Sequence, residues 1–138
     1  MKKLILAILL LFGCTELICA QAAPYNVVFD VTSKDTLVHQ MVIHWVNEIT
    51  SMHPEAKIEI VFYSKALDMV TKNKSVVTDD VVKYAAMKNV SFKVCEVAMK
   101  SNKVDKSQLL PGVSTVPDGI YEIISRQHDG WGYIKAAR

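Results

Sequence analysis

The chain has 138 residues, enough for one core and hardly for two, and 51% of them are apolar. Lys and Arg number 16 against 14 Asp and Glu. That near balance argues against a nucleic-acid binder working through a basic surface, and no like-charge run is long enough to be an interaction tail.

Met1-Lys2-Lys3 is a positive start, Leu4 to Phe12 is continuously apolar, and Thr15 to Ala20 ends on a small residue. This is the pattern of a secretory signal peptide over residues 1–20, with cleavage after Ala20 or, second, after Ala22. The apolar run is about ten residues, short of the roughly 20 that span a bilayer, so no stable membrane insertion is expected after cleavage. A second reading takes Leu11-Phe12-Gly13-Cys14 as a lipobox, with a lipid on Cys14. Both readings place the folded domain, residues 21–138, outside the cytoplasm, and the expected location is the periplasm.

Cleavage leaves 14 basic against 13 acidic residues, because Lys2, Lys3 and Glu16 are removed. It also removes Cys14 and Cys19, leaving Cys95 without an internal partner.

Tyr25 to Val31 is a β-branched and aromatic run, predicted as a strand covered on both faces. A polar turn follows in which Ser33 or Asp35 can cap a helix. The helix is predicted over Thr36 to Met52, its apolar stripe formed by Val38, Met41, Val42, Trp45, Val46, Ile49 and Met52. His39 and His44 lie five apart, not four, and are read as surface or interface residues rather than a metal pair.

His53-Pro54 ends the helix, and Lys57 to Tyr63 is the second strand. A short helix or turn is expected after Ser64, then a helix capped by Thr78 and stopping near Asn89. Val90 to Cys95 is the third strand and runs directly into a helix from Glu96 to about Asn102. Gln108 to Val113 reads as a loop with a Pro-Gly turn. A last helix from about Asp118 to Gln127 presents Ile120, Ile123 and Ile124 as its apolar side, and Tyr133 to Ala136 is the closing strand. Strands alternating with helices predict a three-layer α/β/α fold on a mostly parallel sheet of four to five strands.

Ligands and reactive groups in such folds gather beyond the carboxyl ends of the strands. Three loops leave those ends: Asp30 to Ser33, Tyr63 to Lys65, and Cys95 with Glu96. Unpaired amides and the positive end of a helix would stabilise a thiolate at Cys95, and the thiolate is the nucleophile; the adjacent Glu96 opposes this. The bland alternative is a small buried hydrophobe. There is no Cys-x-x-Cys, P-loop or Gly-x-Gly-x-x-Gly, no histidine has the context of a cysteine protease, and no cofactor or metal is expected.

Val94-Cys95-Glu96-Val97-Ala98-Met99, Leu109-Leu110-Pro111-Gly112-Val113, Val116-Pro117-Asp118-Gly119 and the closing Gln127 to Ile134 segment with Gly130-Trp131-Gly132 form an ordered set over roughly Asn26 to Lys135. In that order and spacing the chain resembles the DsrE/DsrF-like (YchN-like) sulfur-relay family. The resemblance implies a three-layer domain on a parallel sheet, commonly assembled as trimers or hexamers. It also implies sulfur chemistry in which Cys95 carries a persulfide, with a protein as sulfur donor or acceptor. Many relatives have a glycine-containing turn after strand two, where this chain has Tyr63-Ser64-Lys65-Ala66. The implied role is at most that of a sulfur-transfer carrier. The alternative is a non-catalytic oligomeric binding or scaffold domain in which Cys95 is structural.

Overall fold

The computed structural model describes residues 24–138. The expected signal peptide, Cys14 and Cys19 lie outside the described residues. Five strands form one sheet: β1 (Asn26–Val31), β2 (Lys57–Phe62), β3 (Val90–Cys95), β4 (Ser114–Val116) and β5 (Gly132–Ala136). Their order is β4-β3-β2-β1-β5 and every pairing is parallel. Among the described residues four α-helices accompany the sheet: α1 (Thr36–Met52), α2 (Thr78–Ala85), α3 (Glu96–Asn102) and α4 (Gly119–His128). The predicted α/β class with a parallel sheet is the observed one.

Strand alternation divides the sheet into unequal faces. Val27, Phe29 and Val31, with Ile58, Ile60, Phe62, Val90, Phe92 and Val94, join Val38, Val42, Val46 and Val81 in the main core. The Asp35 side chain caps α1, Oδ1 accepting from the Leu37 amide at 2.9 Å. The opposite face has a much smaller apolar cluster of Val28, Val61 and Ile123. It also carries the buried acids Asp30 and Glu59, 4% and 2% exposed.

Glu59 fastens α4 to that face. Arg126 of α4 donates to its Oε2 from Nε and Nη2, both at 3.1 Å, while Nη2 also reaches Glu122 at 2.9 Å. Trp131 stacks its ring over the same guanidinium, 5.1 Å from Cζ. Burial pushes the Glu59 carboxyl above the usual range, and the Arg126 guanidinium draws it part of the way back.

Several elements depart from their sequence-based bounds. β4 falls within the stretch read as loop and helix approach; three residues leave no period to detect. Helix α2 ends at Ala85 rather than near Asn89, and Thr78 is its first residue rather than its cap. The Asn89 side chain instead donates to the carbonyls of Pro54 and Ala56, tying the approach to β3 to the approach to β2. Ile120 and Ile124, read as part of the apolar side of the last helix, are each 56% exposed, and Met52, read as part of the first helix's apolar stripe, is 66% exposed. Gly112 holds a φ of +82°, and a Cβ there would lie 2.7 Å from the Cβ of Ala85, so the Pro-Gly turn closes tightly over α2.

Candidate functional site

The site begins at the end of β3, where Cys95 is both the last strand residue and the cap residue of α3. Its extended backbone (φ −67°, ψ 120°) suits both roles, and no side chain caps the first amides of α3. Cys95 is a free cysteine, 5% exposed.

Helix α4 starts against it. A Cβ built on Gly119 would lie 3.0 Å from the Cys95 Cβ, 3.2 Å from Val61 Cγ1 and 3.7 Å from the sulfur. Glycine is therefore what lets the first turn of α4 reach the sheet beside the thiol. Asp118 caps this turn, its Oδ1 accepting from the amides of Ile120 and Tyr121 at 2.8 and 3.2 Å.

A cleft of about 470 Å³ opens here, lined by Tyr63, Ser64, Cys95, Val97, Ala98, Ser101, Asn102, Asp118 and Ile120. It lies beyond the carboxyl ends of β2 and β3, as the topology requires. Ser64 has a φ of 58°, the left-handed conformation that glycine adopts without strain, so this chain keeps a glycine-like turn without the glycine. Asn102 fixes that turn by donating to the Ser64 carbonyl at 2.7 Å.

Tyr63 joins the cleft to a polar hub around the buried Asp30. Its hydroxyl donates to Asp30 Oδ2 at 3.1 Å, and the same oxygen receives Tyr133 Oη at 2.7 Å and Lys135 Nζ at 3.1 Å. Burial, and then the charge of Asp30, push the Tyr63 phenol up to about 12. The hydrogen bond to Asp30, burial and the same charge push Tyr133 up to about 12. Both phenols therefore stay neutral and hold their hydrogens toward Asp30 at ordinary pH.

The three loops expected at the functional edge do not all reach the thiol. Tyr63 and Ser64 line the cleft with Cys95, whereas Asp30 acts through Tyr63 and Ser33 lies elsewhere. The carbonyl of Ser33 sits 2.9 Å from Nε2 of His39, which is buried, 1% exposed, rather than on the surface. His44 is exposed, as expected. Glu96, expected to oppose a thiolate, is engaged by Lys106 at 2.7 Å and Thr115 at 2.8 Å. Those hydrogen bonds hold its carboxyl below the usual range and set a cation against its charge. Sequence reasoning missed Gly119, Asp118, Ser101 and Asn102 as site residues; the cap pattern at Asp118-Gly119 was the available signal. No group of three or more His, Cys, Asp or Glu able to hold a metal occurs among the described residues.

Residues 26–136 match the DsrE/DsrF-like family. The chain belongs to that family. Membership supports a role related to sulfur relay in general. Two solved structures share the fold. A protein of unknown function from Methanobacterium thermoautotrophicum, MTH1491, is 29% identical with a TM-score of 0.75, covering 80% of this chain and 98% of its own. The ychN protein from E. coli is 10% identical with a TM-score of 0.68, covering 81% of this chain and 98% of its own. No curated protein matches the chain.

Proposed function

We propose that this DsrE/DsrF-like protein is an exported, periplasmic sulfur carrier in which Cys95 receives and passes on a sulfane sulfur. The observation that carries the reading is a free cysteine at the cap position of α3, in the wall of a cleft beyond the carboxyl ends of a parallel sheet. The step is a displacement. The Cys95 thiolate attacks the terminal sulfur of a persulfide R–S–SH; the donor S–S bond breaks, a new one forms on Cys95, and the electron pair leaves as R–S⁻. The proton stays on the terminal sulfur and no external oxidant or reductant is needed. Reversal onto an acceptor thiolate completes the relay.

Its partners are a sulfur donor or acceptor protein and further copies of itself, in a trimer or hexamer. Support for assembly comes from exposed apolar residues beside the site: Val97, Ile120, Tyr121 and Ile124 are 56–69% exposed.

Incubating the purified protein with the persulfide of 2-mercaptoethanol, followed by intact mass, tests the carrier role. A gain of one sulfur atom that disappears in Cys95→Ser is the expected result. A Cys95 that gains no sulfur while folded sinks the reading and leaves the structural alternative, which the 5% exposure of Cys95 favours.

A further inference from the structure

The cleft around Cys95 has spent nearly all its side-chain hydrogen-bond donors on the protein itself. The Tyr63 hydroxyl hydrogen goes to Asp30. Both hydrogens of the Asn102 amide are used, on the carbonyls of Ser64 at 2.7 Å and Ala98 at 2.8 Å. The Ser101 hydroxyl donates to the Val97 carbonyl at 3.0 Å. Ser64 is the one lining hydroxyl whose hydrogen has no protein partner among the described residues. What the walls retain is acceptor capacity: lone pairs on Tyr63 and Ser101, and the Asp118 carboxylate, the single ionisable lining residue besides Cys95 and the neutral phenol. Lys65, the cation next in sequence, is not among the lining residues and gives one of its three Nζ hydrogens to Asn102 Oδ1 at 3.2 Å. Apolar surface comes from Val97 and Ile120 at the rim.

No side chain caps the start of α3, where Cys95 occupies the cap position. The Cys95 thiolate is itself an anion at this position. A second anion would meet the Asp118 charge and walls with little left to donate, and an unsatisfied, desolvated anion is strongly disfavoured.

We infer that the cleft selects sulfur donors whose organic group is neutral or cationic, and rejects anionic ones such as thiosulfate or sulfonated thiols. The inference rests on the carrier reading above and adds a substrate class to it. An uncharged alkyl persulfide fits the Val97 and Ile120 rim, and an amino or amide N–H on it meets the spare acceptors. The sulfur source is therefore an organic persulfide rather than a sulfur oxyanion.

Three thiol reagents of the same chemistry and different charge test it. Methyl, 2-aminoethyl and 2-sulfonatoethyl methanethiosulfonate each transfer their S–R group to the thiolate and release methanesulfinate. Rates on the purified protein are divided by those on 2-mercaptoethanol. The expected result is a cation-over-anion preference of about tenfold at low salt, shrinking as salt is added. Asp118→Asn keeps a capping side chain and should remove most of that preference. Equal rates for the two charged reagents, or a faster anionic one, overturn the inference while leaving the carrier role standing. Failure of even the neutral methyl reagent to reach Cys95 in the folded protein overturns both. Should Asp118→Asn fail to fold, the salt dependence of the wild-type ratio decides.

Discussion

One oxygen of Asp30 takes three hydrogen bonds, while the other, buried, has no partner among the described residues. Such an asymmetric load is costly unless it organises something, and here it fixes the phenol that lines the Cys95 cleft. The consequence is measurable. Of the five tyrosines, Tyr63 and Tyr133 should ionise near 12, late in an alkaline absorbance titration. A phenol raised in the folded state contributes stability below the unfolded value of about 10 that is lost as pH rises through about 12. Asp30→Asn should bring both titrations down; five tyrosines ionising together in the wild type would refute the hub. Cys95 was legible from sequence because its place at a strand end is local. Asp30 was legible only as a loop-proximal acid, since its partners lie 33, 103 and 105 residues away.

At the scale of elements, α4 is the piece on which the site depends. Its one core side chain is Ile123, its one glycine beside the thiol is Gly119, and Arg126 ties it to the buried Glu59. Gly119→Ala should destabilise the protein by about 1–2 kcal/mol in denaturant unfolding, overpacking outweighing the helix-propensity gain because the Cβ meets two buried strand residues. The same variant should react more slowly at Cys95. Unchanged stability and reactivity would mean that α4 can back away from the sheet. Glu59→Gln tests the other tether by its pH dependence. Glu59 titrates above 4.5 when folded, so its contribution is fully present below the unfolded value and is lost as pH rises through the folded one. The stability advantage of wild type over the variant should therefore be largest in acid and shrink toward neutral pH; an advantage growing toward neutrality would contradict the burial argument. Periodicity located α4 well but misjudged its faces. Ile120, Ile123 and Ile124 look alike in sequence, yet the sheet offers contact for Ile123 and leaves its neighbours in solvent.

For the whole molecule, the exposed isoleucines of α4 bear on assembly. Light scattering should give a multiple of the protomer mass, reduced in the double variant Ile120→Asp, Ile124→Asp with helicity unchanged; a monomeric wild type would discard the oligomer proposed above. The architecture itself was written locally. Apolar strand runs, the α1 stripe and the alternation of strands with helices determine a parallel α/β sheet, because each element must bury one face and consecutive parallel strands require a crossover. Motif order added the family, and the strand-helix joint at Cys95 the candidate thiol. Only the tertiary structure decided what surrounds that thiol. Gly119 comes against it from 24 residues further along, Tyr63 is pinned by a carboxylate on another strand, and the donors of Asn102 and Ser101 turn inward on the protein. Those contacts join residues far apart in the chain or fix which way a polar group spends its hydrogens, and neither property has a signature in local sequence.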